Sequence, residues 1–236
     1  MNRKSNFLSG FKDGIPICLG YIAVSFTFGI MAGNQGLSVW EAVLISLTNV
    51  TSAGQFAGLG LIAASASYVE MIITQFIINL RYCLMSCALS QKFSQETPFF
   101  HRFFISYGVT DEIFAISVCR EGKLHPFYSY GAISVSVFGW VFGTFLGIVS
   151  GNLLPVRVVS ALSVALYGMF IAIIVPPARE YKNVLFAVAL AIAASVACKY
   201  LPIIRNLSSG WTIILITIVV CLIAAWLFPV EESEGE

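Results

Sequence analysis

The stretch LHPFYSYGAISVSVFGWVFGTFLGIVSGNLLPV, residues 124–156, contains no aspartate, glutamate, lysine or arginine over 33 positions. A helix that crosses a bilayer needs about 20 predominantly apolar residues, so this stretch is long enough to cross. Four more uncharged stretches cover residues 14–40, 42–69, 158–178 and 206–230. Of the 236 residues, 58% are hydrophobic and 11% are charged, whereas soluble domains are about a quarter charged. The sequence therefore predicts an all-α polytopic membrane protein and excludes a soluble enzyme.

Turn residues divide the chain into about 7–8 predicted transmembrane helices within a single membrane domain, 1–236. The helices are predicted near 14–33, 40–64, 68–90, 102–120, 127–150, 154–176, 183–200 and 210–228. Between them lie Asn34-Gln35-Gly36, Pro98, Glu121-Gly122-Lys123, Gly151-Asn152, Pro176-Pro177 and the polar stretch 205–210.

The orientation in the membrane is open between two versions. With eight crossings and a cytoplasmic amino terminus, seven basic residues fall on the cytoplasmic side and five on the other. If the second segment, 40–64, enters and returns instead of crossing, the division becomes eight against four. The positive-inside rule mildly favours the re-entrant version.

Two short motifs indicate either an internal repeat or two independent packing stripes. GIMAGN at 29–34 and GIVSGN at 147–152 match at four of six positions, which allows related halves 1–118 and 119–236. Small residues spaced by four share one helix face and let two backbones approach closely in lipid. The predicted packing residues are Gly29, Gly33, Gly139, Gly143, Gly147 and Gly151.

The sequence Asn49-Val50-Thr51-Ser52-Ala53-Gly54-Gln55 places amides, hydroxyls and a glycine in the middle of the second apolar segment. One interpretation is a broken helix whose freed backbone groups line a polar cavity near the midplane, as in many transporters. The alternative is a polar seam between helices. The broken helix is favoured, and it makes a substrate-binding group of Asn49, Thr51, Ser52, Gly54 and Gln55.

Charged residues inside two other segments form the second candidate group. Arg81 lies past the middle of the third segment, two positions after Asn79, and a buried arginine is costly unless it snorkels to the interface or meets an anion. Asp111 and Glu112 are adjacent acids in the segment 102–120, and adjacent helical residues cannot face the same partner. We expect one acid to pair with Arg81 and the other to titrate, unless both lie in water at the interface.

Several chemistries lack their motifs in this chain. The sequence has no phosphate-binding loop and no metalloprotease or nucleophile-elbow motif, and its two histidines lie far apart. The six cysteines form no CxxC pair, and the formal net charge of +1 gives no basic stripe for nucleic acid. We expect no enzyme activity, no cofactor, no metal site and no nucleic-acid partner.

Residues along nearly the whole chain resemble the AzlC family, the large subunits of bacterial branched-chain amino-acid exporters. The similar motifs are FKDGIPI at 11–17, TSAGQFA at 51–57, INLRY at 78–82 and TDEIFA at 110–115, with the glycine-rich fifth helix around 138–140. The later half, such as ALYGMF at 165–170, matches more loosely.

The resemblance implies a secondary transporter that exports valine, leucine, isoleucine or their analogues across the bacterial cytoplasmic (inner) membrane. It also implies a small AzlD-like membrane subunit, and it leaves open a higher oligomer in the bilayer. A zwitterion needs a cation for its carboxylate, which Arg81 offers, and an acceptor for its ammonium, such as Asp111. Proton coupling through Asp111 or Glu112 is a hypothesis. The alternative function is a passive channel or a scaffold subunit of a membrane complex.

Overall fold

The chain is described by a computed structural model at residues 2–151, 171, 174–200 and 207–229. Its named helices are α1 (Arg3–Asn34), α2 (Val39–Thr48), α3 (Ser52–Ala63), α4 (Tyr68–Lys92), α5 (Phe99–Ser106), α6 (Asp111–Val118), α7 (Pro126–Ser150), α8 (Lys182–Tyr200) and α9 (Ser209–Leu227). Five of these, α1, α4, α7, α8 and α9, are long and apolar enough to cross a membrane. No β-strand occurs among the described residues. The prediction of an all-α polytopic membrane protein is confirmed.

Most predicted helix positions match a helix of the structure, with three differences. α1 begins at Arg3 instead of residue 14, because hydropathy marks the apolar part of a helix and not its first turn. Residues 174–180 are helical, so the turn predicted at Pro176-Pro177 is wrong, and the helix ends before Tyr181. The predicted helix 154–176 lies mainly outside the described residues.

The chain forms two compact units, and the predicted site residues lie in the first, Met1–Leu59 with Ile78–Ser163. The second comprises Gly60–Ile77 and Val164–Glu236. In the second, the rings of Phe186 and Phe228 meet at 5.5 Å between α8 and the end of α9. Glu70, buried near the start of α4, accepts a hydrogen bond from the hydroxyl of Ser208, the residue before α9. The positive end of a helix dipole suits this carboxylate.

α1 and α7 form the centre of the first unit and pack backbone to backbone. Gly10 faces the backbone of Tyr128, and Gly29 faces that of Thr144, so both helices advance in the same direction. We call the end where α1 and α7 begin the proximal end, and the end where they finish the distal end. Because these helices are parallel, the predicted halves 1–118 and 119–236 would be related by a parallel and not an inverted symmetry; the repeat itself stays a prediction.

The predicted packing glycines lie along this interface. A Cβ atom would meet backbone atoms of the facing helix at 2.2 Å on Gly29, 2.6 Å on Gly139, 2.5 Å on Gly143 and 2.0 Å on Gly147. Gly33 and Gly151 have more room. The facing helix comes within 3.3 Å of a Cβ on Gly33, at the side chain of Ile148, and within 3.6 Å of one on Gly151. The sequence analysis overlooked Gly10, Gly14 and Gly131, which lie equally close to backbone.

The second apolar segment is a re-entrant hairpin of α2 and α3, with its break at Asn49-Val50-Thr51. α2 begins at the distal end, next to the end of α1, and Ser46 near its last turn bonds to Thr144 of α7. α3 then returns, because Leu59 packs in the same distal cluster as Ala32 and Ile148. Ten residues of α2 rise about 15 Å, which is half of a hydrocarbon core. The predicted break and the re-entrant version of this segment both match the structure.

The segment predicted as a single helix, 102–120, is a second hairpin, so that prediction is wrong. α5 and α6 are separated by a break at residues 107–110. α5 begins at the proximal end, where His101 bonds to Tyr130. α6 returns to that end, where Arg120 just after it bonds to Ser9 of α1. The reason is local: Thr110 caps α6 through the amide of Ile113, which starts a new helix instead of continuing the old one.

Basic side chains of the first unit gather at the proximal end. They are Arg3, Lys4 and Lys12 in α1, Lys92 at the end of α4, Arg102 in α5, and Arg120 and Lys123 after α6. The distal connection at residues 35–38 carries no lysine or arginine. The positive-inside rule therefore assigns the proximal end to the cytoplasm. Neither orientation considered from the sequence contains two re-entrant segments, so neither is correct.

Candidate functional site

The tips of the two hairpins meet midway along α1 and α7. The hydroxyl of Tyr107, just after α5, donates a hydrogen bond to the carbonyl oxygen of Leu47 near the end of α2. In the first tip, Thr51 Oγ1 donates to Asn79 Oδ1 of α4 at 2.7 Å. Each tip therefore has a polar side-chain contact, and broken backbone lies at half the depth of the unit. Backbone of this kind is found in membrane proteins where it is buried in protein or lines a polar cavity.

Arg81 and Asp111 form an ion pair beside the tips, with 2.9 Å between Nη1 and Oδ2. Arg81 lies near the middle of α4, and Asp111 is the first residue of α6. Their side chains are 44% and 40% exposed, so the pair borders an open space and is not sealed in the core. The expected anionic partner of Arg81 is thus one of the two adjacent acids. A ligand could reach both charges.

Glu112, the second acid, faces a different helix. The Tyr21 hydroxyl of α1 donates towards Glu112 Oε2 at 2.6 Å and Thr110 Oγ1 at 2.7 Å. The Tyr21 ring meets Trp140 of α7 edge-on, with centroids 5.3 Å apart. Tyr21 therefore ties the second tip to the α1–α7 centre. The sequence analysis missed this residue because a lone tyrosine in an apolar helix carries no signal of its distant partner.

Gln55 belongs to a buried chain of hydrogen bonds that fixes the first hairpin. Trp140 Nε1 donates to Gln55 Oε1 at 2.9 Å, and Gln55 Nε2 donates to Ser46 Oγ at 2.5 Å. Ser46 also bonds to Thr144 Oγ1 at 2.7 Å. Gln55 is only 1% exposed, and both ends of its amide are bonded. Its position indicates that it anchors α3 to α2 and α7.

The other predicted ligands surround the first tip. Asn49 follows α2, with its amide bonded to the carbonyl of Ile45 and its side chain half-buried. Ser52 opens α3, and its Oγ is buried without a hydrogen-bond partner among the described residues. Gly54 lies in the first turn of α3. No group of three metal-ligating side chains occurs in the part of the chain that the structure describes.

Comparisons with known proteins place these motifs in a family. A family model described as "AzlC protein" matches residues 16–154, which include both hairpins, Arg81 and Asp111. The chain belongs to the AzlC family. The match stops near the end of α7, in agreement with the looser resemblance of the later half.

Relatives of this AzlC chain carry general names. An "Uncharacterized membrane protein" of Archaeoglobus fulgidus is 31% identical over 221 residues, covering 89% of this chain and 97% of the relative. The "Inner membrane protein YgaZ" of Escherichia coli is 30% identical over 152 residues, covering 63% of this chain and 62% of YgaZ. An "Uncharacterized membrane protein" of Helicobacter pylori (strain 26695) is 27% identical over 153 residues, covering 62% of this chain and 66% of the relative. No solved structure matches the chain. The protein is therefore a membrane protein of a family associated with transport.

Proposed function

We propose that this AzlC protein is a secondary transporter that exports branched-chain amino acids from the cytoplasm. The observation that carries the proposal is the meeting of two re-entrant hairpin tips beside an accessible Arg81–Asp111 pair. Secondary transporters commonly place substrate sites at the midplane among broken helices. A scaffold subunit has no need for an arginine and a carboxylate at this depth, because charge within a span is costly.

The ion pair offers both halves of a zwitterion a partner. In the absence of substrate, Arg81 and Asp111 neutralise each other at 2.9 Å. An amino acid that enters between them places its carboxylate on Arg81 and its ammonium on Asp111, so the number of charge pairs rises without adding net charge. Charge-assisted hydrogen bonds of this kind are about twice as strong as neutral ones. The site thereby recognises the amino-acid backbone, and the side chain must be selected by apolar walls.

Half-helix ends strengthen the preference for a carboxylate. α3 and α6 begin at the tips, at Ser52 and Asp111, and the first amides of a helix have no partner within the helix. The N-terminal ends of helices carry partial positive charge and favour anions. With Arg81 they form a field that suits the negative end of the substrate.

Proton coupling is part of the proposal. When a substrate ammonium leaves Asp111, or a substrate carboxylate competes for Arg81, the carboxylate of Asp111 loses a partner and can take up a proton. Glu112 keeps its bond with Tyr21 at 2.6 Å in the structure. Asp111 is therefore the first residue to test as the proton carrier, and Glu112 is the second.

The test is efflux from liposomes that contain the purified protein, with and without a small AzlD-like partner, and radiolabelled leucine. We expect saturable efflux that valine and isoleucine inhibit and that Arg81→Met abolishes. Arg102→Met is the matched control, because Arg102 binds the carbonyl of Ser94 at the proximal end, away from the tips. Efflux that rises linearly with concentration would indicate a channel. No efflux with the partner present would indicate a scaffold, and either result would refute the proposal.

A further inference from the structure

The first unit contains an inverted arrangement of two similar pieces. In α1–α3, a long helix runs from the proximal to the distal end, and a hairpin then enters from the distal end. In α4–α6, a long helix runs towards the proximal end, where Lys92 bonds to the carbonyl of Arg120, and a hairpin then enters from that end. The second piece thus repeats the first with its direction in the membrane reversed. Inverted pieces of this kind are typical of secondary transporters.

The two tips also agree in sequence. Val50-Thr51 precedes the first residue of α3, and Val109-Thr110 precedes the first residue of α6. Each threonine therefore occupies the position immediately before its returning half-helix. The repeat is much shorter than the one suggested by the two glycine motifs, and it involves different residues.

Each tip threonine bonds to the long helix of the other piece. Thr51 of the first tip bonds to Asn79 in α4, and Thr110 of the second tip bonds to Tyr21 in α1. Tyr21 precedes Thr51 by nearly the same number of residues as Asn79 precedes Thr110. The two contacts are thus counterparts under the reversal of direction.

We propose that Tyr21 and Asn79 are paired positioning residues, and that each holds one of two opposed gates closed. The α5–α6 hairpin blocks access from the proximal end while Tyr21 holds its tip. The α2–α3 hairpin blocks access from the distal end while Asn79 holds its tip. With both contacts made, as in this structure, the space at the tips is closed on both sides. The inference rests on the proposed transport function, and its test needs no substrate.

The test measures access to the tips from each side of the membrane. The six native cysteines are replaced, and a single cysteine is introduced as Ser106→Cys after α5 or as Thr48→Cys after α2; both positions are exposed. Protein of known orientation in liposomes is labelled with a membrane-impermeant maleimide added to one side. Loss of one hydrogen bond changes an open–closed equilibrium by about fivefold.

We expect opposite responses from the two latches. Tyr21→Phe raises labelling of Ser106→Cys from the proximal side about fivefold and lowers labelling of Thr48→Cys from the distal side. Asn79→Leu produces the reverse. Tyr130→Phe is the matched control, since it removes a tyrosine hydroxyl that bonds to the base of the same hairpin at His101, 2.8 Å away, and leaves the tip unchanged.

The result separates gating from a general loss of structure. If Asn79→Leu prevents folding, Thr51→Val removes the same contact with an isosteric side chain. Equal labelling increases from both sides, or changes no larger than those of the Tyr130 control, would overturn the inference. Leucine efflux measured in parallel distinguishes the two proposals, because opposed labelling without efflux would refute the transport function and leave the gates intact.

Discussion

Replacement of Gly147 by alanine tests the packing of α1 against α7. A Cβ atom at Gly147 would lie 2.0 Å from the carbonyl oxygen of Phe26, whereas ordinary contacts begin at 3.4 Å. The two helices must therefore separate locally by more than 1 Å. A gap of about 0.5–1 Å forfeits a quarter to a half of each dispersion contact, and overpacking of this kind costs about 1–3 kcal/mol.

A glycine of α1 supplies the matched control. Nothing lies within 4 Å of a Cβ built on Gly20. Gly20→Ala should therefore show only the gain in helix propensity, about 0.8–1 kcal/mol. The two alanine variants should then differ by about 2 kcal/mol or more in free energy of unfolding. At roughly 2–4 °C per kcal/mol, their Tm values should lie about 4–8 °C apart.

The assay is thermal unfolding of the purified protein in one detergent, followed by the fraction that stays monodisperse. Gly29→Ala should behave like Gly147→Ala, because its Cβ would lie 2.2 Å from the carbonyl oxygen of Thr144. Gly33→Ala should be milder, because its nearest neighbour is a side-chain carbon of Ile148 at 3.3 Å. If Gly147→Ala melts as high as Gly20→Ala, the close approach of the two backbones is wrong.

Three further changes address the site and one hairpin. Gln55→Leu leaves the buried indole N–H of Trp140 unpaired and should lower the free energy of unfolding by about 2–4 kcal/mol; a Tm equal to that of the unsubstituted protein would contradict the buried chain. Asp111→Asn should abolish gradient-driven flux while exchange partly remains, and equal loss of both would make its role with Arg81 structural. Ser38→Ala removes the cap of α2 and should cost about 1 kcal/mol in thermal unfolding, with efflux per folded molecule unchanged; a loss of efflux at full stability would argue against a purely local effect.

The first break was predictable because its residues conflict with their surroundings. Two amides, two hydroxyls and a glycine stand near the centre of an apolar segment, and only a broken helix can satisfy them in a membrane. The second break carries a different signal. Thr110 followed by Asp111 and Glu112 is the sequence of a helix start, with a capping hydroxyl and acids in the first turn. Interpreting those acids only as charges within a span hid the new helix.

Long-range partners were predictable only where charge demanded them. A buried arginine requires an anion, so the pairing of Arg81 with one of two acids followed from few candidates. Tyr21 and Trp140 have many apolar surroundings that would suit them equally, and only the fold brings them to the tips. The glycine spacing indicated a packing face, while the parallel direction of the two helices depended on where the hairpins turn back.

The two short hairpins have a consequence for biosynthesis. Neither half of either hairpin is long enough to be inserted as an independent span, since their lengths are 10, 12, 8 and 8 residues. Their resting place against α7 does not exist until residues 126–150 have left the ribosome. The nascent chain must therefore hold residues 39–118 incompletely assembled while its later helix is made. Errors during synthesis should accumulate in that interval, which makes the hairpins the natural targets of membrane quality control.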